Sequence, residues 1–469
     1  VIYGYAGADP GFLIDFARFF PGAASYDLTV NYRCPTRVVK AAETLLTHNR
    51  RRLAKTIAAS PGRDEAPTDL VVDTVEDDDL APAVVRRAQE WMDAGLHGPN
   101  AVDGLDATDI AVLARVNSVL LPVQIALVDA GVPCTRAVGP DLLSRTGMTA
   151  ALAYLRMGLD PQSISRADVL ATIRRPSRRI ARNVVDMIVK RPNTSVTDLR
   201  RLSEWLTGDD ADRVAAYADD IEAVAKVVAS GTTAQALTVI SRDVGLGGAM
   251  ATLDASKGGE RSTHGDDLWA LEQVAALHAS PATFEGWLRE ALSSSSRGGV
   301  QLSTVHRVKG REWPRVIVFG ASVGLFPHRL SEDREEERRV FHVAITRARD
   351  RVVVLADASK PSPFIAQLSQ PRRAGDSEEA PAEVAAHPRP RAIAAAGAAP
   401  KGFEALREWR SDRARQDKVP AYIVLSDAQL RGIAERAPAS LVELSRCPGI
   451  GPVKLDRYGD EILSVLAAL

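Results

Sequence analysis

The sequence predicts an α/β protein: a parallel-sheet domain interrupted by an all-helical insertion and followed by a small all-helical unit. Three observations carry that expectation. Over the first third, short apolar runs of strand length alternate with segments of helical periodicity, the rhythm of strand–helix–strand units in a parallel sheet. Strand signals then vanish for roughly one domain length and return near residue 299. A Pro/Ala-rich stretch, PRRAGDSEEAPAEVAAHPRPRAIAAAGAAP, finally separates a last helical segment from everything before it and reads as a linker.

Taken in order, FLIDFARFF (Phe12 to Phe20) reads as a short apolar helix ended by Pro21-Gly22. YDLTVNYRCP is a strand stopped by proline, and TRVVKAAETLLTHNRRR a helix with apolar residues three and four apart. DLVVDTVEDDD is a strand running into an acidic turn, APAVVRRAQEWMDAGL a helix, and DIAVLARV a nearly continuous apolar strand. LLPVQIALVDAGVPCTRAV supplies a helix, a glycine stop and another strand. From about Asp141 to Gly298 the patterns are helical, as in MTAALAYLRMGL, DRVAAYADDIEAVAKVVAS and LWALEQVAALHAS, with almost no strand signal. VQLSTVH, RVIVFGAS and DRVVVLADA then restore the strands, and FEALREWRSDRARQ to SVLAAL forms the closing helical unit.

The chain has 469 residues and a mass of 50.4 kDa, long for a single core, so two to four domains are expected. Hydrophobic residues at 45% and charged ones at 25% are those of a globular protein, and no apolar run is long enough to span a membrane. Cys34, Cys134 and Cys447 are too far apart for a zinc site or a disulfide framework and suit a reducing, cytoplasmic setting. A net charge of −1 advertises no general affinity for nucleic acid, and only ten of the 59 basic residues are lysine. With so marked an arginine bias, a nucleic-acid site has to be argued from individually placed residues.

Two segments carry chemistry. In STVHRVKGREWPRVIVFG (Ser303 to Gly320) a strand ends at Thr304 and a second begins after Glu312, and the loop between holds His306, Lys309 and Gly310. Loops at the carboxyl ends of parallel strands are where open sheets bind ligands. Gly310 lets backbone approach a ligand, Glu312 can accept from a hydroxyl, and Thr304, His306 and Lys309 can reach phosphates; a solvated connection between two core strands has the same pattern. In EEERRVFHVAITRARDRVVVLAD (Glu335 to Asp357) a helix ends with Arg347 and Arg349 beside the next strand. Such an arginine can reach the charge building on a transferring phosphoryl group, and an acidic-then-basic helix also complements its own dipole.

Together these segments resemble the UvrD/Rep/PcrA family of superfamily 1 DNA helicases. NYRCPTRVV resembles the family's fourth motif, LSTVHRVKGREWPRVIVFG with the downstream GLFP its fifth, and EEERRVFHVAITRAR its sixth; AVLARVNSVLLPVQIALVDAGVP matches the strand–helix between the fourth and fifth. The resemblance covers about residues 1–360 in the correct order. It implies the last part of a first RecA-like domain over 1–25 and a second RecA-like domain in two segments, 26–140 and 299–370, flanking a helical insertion over 141–298. By the same resemblance ATP lies between two RecA-like domains. Tyr32 would stack on adenine, Arg33 and Arg347 would face the γ-phosphate as the catalytic arginines, and Gly310 and Glu312 would hold the ribose side. Arg115, Asn117, Thr304, His306 and Lys309 would meet single-stranded DNA. IYGYAGA resembles the end of the third motif, placing Tyr5 as a base-stacking aromatic, with Ala6 where the family has arginine.

After the 371–402 linker, residues 403–469 resemble an HRDC domain, whose PGIGPVK turn would offer Lys454 to a phosphate; the same turn also reads as a plain helix–helix connection. The helical insertion lacks the family's glycine-containing turn and has RRPSRRIARN there, with Arg178, Arg179 and Arg182 as phosphate-facing candidates. The sequence contains no GxxxxGK[S/T] and no strand ending in Asp-Glu, so Mg²⁺ is expected to be held mainly by residues outside it, and no metal ligands are assigned within it. The expectation is therefore the C-terminal portion of an ATP-dependent 3′–5′ DNA helicase with half an ATP site, inactive alone. Its partners would be single-stranded and duplex-junction DNA and DNA-repair proteins, not a membrane. A non-catalytic DNA-binding scaffold built on the HRDC unit and a RecA-like remnant is the alternative.

Overall fold

Among the described residues nine strands, labelled in chain order, fall into one large sheet and two short ladders. In the computed structural model the described residues are 26–52, 56–62, 65–97, 105–257, 263–293, 298–331, 333–371, 402–417, 427–445 and 452–467, with a few isolated positions besides. The Phe12–Phe20 helix, for the most part, and the Pro/Ala-rich linker fall outside them. Strands β1 (Val30–Asn31) and β2 (Ala58–Ala59) make a two-residue parallel ladder. The main sheet contains β3 (Leu70–Val75), β4 (Ile110–Ala114), β7 (Gln301–Thr304), β8 (Trp313–Phe319) and β9 (Ala348–Asp357), all parallel, in the order β3-β9-β8-β4-β7. The interior strand β4 is buried at every position, which is why its sequence reads as an unbroken apolar run. On the edge strand β3 only Leu70 is fully buried, and the rest alternate between half-buried and exposed.

Each strand of the sheet feeds two cores because its side chains alternate faces. Val316, Val318, Val352 and Val354 face one layer, where they meet α1 (Thr36–Thr47). Ile317, Phe319, Val353 and Leu355 face the other, where they meet α2 (Leu80–His97) and α3 (Leu121–Asp129). The strand expected after Gly131 shrinks to a single bridge between Cys134 and Val300. Pro133 has no N–H to extend that ladder. Gly299, at φ 108°, sits so close to the Pro133 carbonyl that an added Cβ would lie 2.0 Å from its oxygen.

The insertion is helical as expected: α4 (Thr146–Leu159), α5 (Arg166–Thr172), α6 (Arg182–Ile188), α7 (Val196–Trp205), α8 (Asp209–Ser230), α9 (Thr233–Thr238), α10 (Leu246–Lys257), α11 (His264–Leu277) and α12 (Pro281–Ser293). Ser195, Thr232 and Thr263 start α7, α9 and α11 with reciprocal capping boxes closed by Asp198, Gln235 and Asp266. Strand β2 and one strand pair escaped the sequence reading. Strands β5 (Ile164–Ser165) and β6 (Asn193–Thr194) pair over two residues, too few to show a periodicity. Helix α11 bridges the two parts: Leu268, Leu271 and Val274 lie in the helical core, while Trp269 and Leu277 also pack on the sheet's second layer.

Past β8, α13 (Arg334–Ile345) lays Val340, Phe341, Ala344 and Ile345 on the first layer of the sheet. Asp333 caps it by accepting from the Glu335 and Glu336 N–H groups. After β9 comes the short α14 (Pro363–Ala366).

The chain divides into two compact units, Val1–Asp376 and Ser377–Leu469. The second is built from α15 (Phe403–Asp417), α16 (Asp427–Arg436), α17 (Leu441–Leu444) and α18 (Pro452–Ala467) around Leu406, Leu430, Ile433, Leu444, Tyr458 and Ile462. Among the described residues no helix is long and apolar enough to cross a membrane.

Candidate functional site

The residues of interest in the first unit gather at opposite edges of the parallel sheet. At the amino edge, the Asn31 side chain accepts from the N–H groups of Arg33 and Cys34, both at 2.9 Å. This Asx turn throws Tyr32 outward, leaving it 74% exposed, and sends Arg33 back across the molecule. Arg33 Nε donates to Glu312, which immediately precedes β8, and Arg33 Nη1 reaches the Thr346 carbonyl at 3.4 Å. Leu28, Val30, Asn31, Tyr32, Arg33, Ile57 and Glu312 line a cleft of about 460 Å³.

Arg347 stands in the same neighbourhood, between α13 and β9. Its Nε donates to the Val343 carbonyl and its Nη1 to the Arg311 carbonyl, both at 3.1 Å. Its own carbonyl accepts from the Trp313 N–H at 3.0 Å, tying the start of β9 to the start of β8. Gly310, at φ 82°, makes the turn that brings Arg311 and Glu312 into this cluster, a conformation that disfavours any residue with a Cβ. Burial and then the Arg33 charge hold the Arg347 guanidinium below its ordinary value. The hydrogen bond from Arg33, followed by the charges of Arg33, Arg349 and Arg347, holds the Glu312 carboxylate low although burial opposes it. Three guanidiniums therefore act on one carboxylate.

At the carboxyl edge, Ala114 of β4 pairs in register with Thr304 of β7, so Arg115, Asn117, Thr304 and His306 emerge side by side. Thr304 is 8% and Arg115 7% exposed. The Arg115 guanidinium is held by Glu337 of α13 in a forked pair, Nε at 2.9 and 3.1 Å and Nη2 at 2.7 Å. Asn117 Nδ2 donates to the Ala137 carbonyl at 2.9 Å. Burial, then the Arg115 charge, depresses His306 to about 4, so its imidazole is neutral at physiological pH. Lys309 is exposed. In the second unit Lys454 Nζ donates to Gln429 Oε1 at 3.3 Å. Tyr5 lies outside the described residues.

The structure refines the sequence reading at the loop after β7. That loop begins at the carboxyl edge with Thr304 and His306 but delivers Gly310 and Glu312 to the amino edge. A parallel strand restarts where its neighbour started, so the connection must cross back over the sheet. Val305 and Val308 bury themselves along the way and fix its path. In the helical insertion, Arg178 is occupied internally: it pairs with Asp220, donates to Tyr154 Oη at 2.9 Å and lies over the Tyr217 ring. Arg179 and Arg182 are exposed. Sequence reasoning missed Asn31, Thr346, Glu337, His328 and Asp266. The Asn three residues before Cys34 was a readable turn signal; the others are joined by contacts remote in sequence.

The UvrD-like helicase C-terminal domain profile matches residues 26–233 and 284–358. The HRDC domain profile matches residues 400–466. The first match spans more than half of the chain, and the chain belongs to the UvrD-like DNA helicase family, with an HRDC domain at its C-terminal end. DNA helicase II of Escherichia coli K12 is 26% identical over 416 residues, covering 79% of this chain and 54% of that protein. ATP-dependent DNA helicase UvrD2 of Mycobacterium tuberculosis H37Rv is 27% identical over 502 residues, covering 99% of this chain and 61% of its own length. PcrA of Leuconostoc citreum is 22% identical over 406 residues, covering 78% and 52%. Among solved structures, D. radiodurans RecQ HRDC domain 3 is 32% identical, covers 15% of this chain and 95% of that one, and gives a TM-score of 0.15. The chain thus spans about half to three-fifths of the length of these curated relatives.

Proposed function

We propose that this chain provides the second RecA-like half, the helical insertion and the HRDC unit of an ATP-dependent DNA helicase that moves 3′ to 5′. The observation that carries the reading is the amino-edge cluster, where Arg33, Arg347 and Arg349 act on the single carboxylate of Glu312 beside an exposed Tyr32. That donor set suits a base and a polyphosphate. The sequence contains neither GxxxxGK[S/T] nor a strand ending in Asp-Glu, so Mg²⁺ would be held mainly by residues outside it. ATP supplies the phosphoryl group when bound. Tyr32 stacks on the adenine, Glu312 accepts from the ribose, and Arg33 and Arg347 neutralise charge on the γ-phosphoryl oxygens.

At the carboxyl edge Thr304, His306, Asn117 and Lys309 meet the backbone of single-stranded DNA beside Arg115, whose guanidinium is held by the Glu337 carboxylate, with Tyr5 as a base-stacking aromatic and Lys454 as a phosphate contact in the HRDC unit. Contacts of this kind tolerate any sequence and weaken with salt. A cytoplasmic setting, junction DNA and DNA-repair proteins as partners follow from the same reading. So do the boundaries 1–25, 26–140, 141–298, 299–370, 371–402 and 403–469 for its parts.

With half an ATP site, the 469-residue chain alone is expected to bind a fluorescent ATP analogue and oligo-dT without turning ATP over. Nucleotide binding should fall in the Arg33→Ala and Arg347→Ala variants while oligo-dT binding stays. Turnover by the contaminant-free chain would defeat the half-site reading. Loss of both ligands in both variants would make the arginines structural and remove the nucleotide assignment.

A further inference from the structure

The buried charges at the carboxyl edge form a continuous chain that reaches from the motif segments into the helical insertion. Glu337 is 1% exposed and accepts from three directions. Arg115 donates to both of its oxygens, and the His328 N–H donates to Oε2 at 2.9 Å. His328, 3% exposed, places its imidazole Nε2 at 3.2 Å from Asp266 Oδ2. Arg329 donates from Nη1 to Asp266 Oδ1 at 2.5 Å, and Asp266 in turn closes the capping box that starts α11. The chain of contacts thus runs from the end of β4, through the first turn of α13, to the helix that joins the insertion to the sheet. Asp266 lies between the two segments matched by the family profile, 26–233 and 284–358, so the far end of this network is not part of that resemblance.

Helix α13 carries the network to the other edge. Glu337 sits in its first turn at the carboxyl edge, and Arg347 follows its last turn at the amino edge, with roughly 12 Å of helix between Glu337 and Ile345. Its Phe341 is fully buried against Phe326 and Phe364, at 5.2 and 5.8 Å between ring centroids, so the helix is packed as a rod and not as a hinge. A buried carboxylate shared by Arg115 and His328 fixes where that rod lies relative to β4 and α11. A change at Arg115 or Asp266 therefore moves the same helix that sets Arg347.

We propose that Glu337 is a positioning residue: through α13 it links Arg115 at the carboxyl edge and Asp266 of the helical insertion to Arg347 at the amino edge. The link rests on the helicase reading for its purpose but not for its existence, so the first measurement uses no ligand. Amide exchange is followed in the full chain for the wild type, Glu337→Gln, which keeps an acceptor for His328 and loses the charge facing Arg115, and Asp266→Asn. Both substitutions should speed exchange about tenfold or more at Trp313, Thr346 and Arg347, while the β3 amides from Leu70 to Val75 keep their wild-type protection. Faster exchange confined to Arg115, His328 and their immediate neighbours would overturn the proposal. So would a uniform rise that includes β3, because Glu337 would then serve stability alone.

A second measurement separates positioning from plain stability. Oligo-dT binding is titrated against salt for the wild type and Glu337→Gln. Freed of its carboxylate, Arg115 should add close to one unit to the slope of log K against log salt. An unchanged slope with unchanged exchange at Arg347 would sink the proposal. Absence of oligo-dT binding in the wild type with the predicted exchange pattern would instead count against the DNA assignment and leave the link standing.

Discussion

His306 offers the sharpest test of the carboxyl-edge site, because its charge decides how it can meet a phosphate. Its imidazole lies beside Arg115 and is depressed from 6.5 to about 4, by burial first and the guanidinium second. The folded state therefore prefers the neutral ring, and the unfolded chain takes up the proton first. Stability tied to this group is fully present above pH 6.5 and is lost as pH falls towards 4. With those two values the loss between pH 7 and pH 5 is about 2 kcal/mol, and partial exposure of the ring brings the expectation to about 1–2 kcal/mol. The assay is a histidine C2–H titration by NMR, with the His306 signal assigned by its disappearance in His306→Gln. It should be paired with urea unfolding of both proteins at pH 7 and pH 5. The His306 resonance should titrate near 4, and His306→Gln should lose less stability than the wild type on acidification. A midpoint near 6.5, or equal acid sensitivity of the two proteins, would refute the reasoning. If it holds, His306 meets DNA as a neutral N–H donor. His306→Gln would then weaken oligo-dT binding without altering its salt slope, since only released counterions set that slope.

Arg347→Ala in the complete protein should abolish ATP hydrolysis while leaving single-strand binding nearly intact, checked by steady-state turnover and anisotropy on the same preparation. Tyr32→Ala, at a side chain 74% exposed, should leave the urea midpoint unchanged but weaken binding of a fluorescent ATP analogue roughly tenfold to a hundredfold, on the scale of one lost base–aromatic stack. Gly310→Ala meets no neighbouring atom within 4 Å, so its cost is backbone strain alone, about 1–2 kcal/mol by urea denaturation, with nucleotide binding weakened because Arg311 and Glu312 shift together. Glu312→Gln should strengthen tripolyphosphate binding by less than tenfold, the scale of a partly exposed ion pair, yet reduce the preference for ATP over tripolyphosphate in competition titrations.

What the sequence made legible was set by local periodicity. DIAVLARV announced a strand because β4 is buried on both faces, and the Ser195, Thr232 and Thr263 caps mark helix starts that any reader can find. The motif residues were legible too, because Arg33, Glu312 and Arg347 stand in recognisable local strings. Their mutual contacts were not. Arg33 and Glu312 are 279 positions apart, and Arg115 and Glu337 are 222 apart, so nothing in either string shows which partner it meets. The same limit explains Arg178, read as a phosphate-facing arginine. Its partner Asp220 lies on α8, and only the packing of α8 against α4 turns that guanidinium inward. Two-residue ladders such as β5–β6 fail for another reason, since no periodicity can be seen over two positions.

The burial of the charged pairs distinguishes the two edges. At the carboxyl edge the large positive group is neutralised within the protein: Arg115 has a forked carboxylate partner and is 7% exposed. Removing one member of such a buried pair strands the other, at about 3–5 kcal/mol, so this edge resists casual rearrangement. At the amino edge the balance runs the other way. Arg33 and Glu312 are about one-third exposed, and the charges of Arg347 and Arg349 add to that of Arg33 around the one carboxylate. An anion arriving there gains attraction without first breaking a buried pair. On the proposed reading the amino edge responds to a nucleotide that comes and goes, and the carboxyl edge holds its geometry while that happens. Helix α13, pinned by Glu337 at one end and ending at Arg347 on the other, is the element through which a response at the first edge has to reach the second.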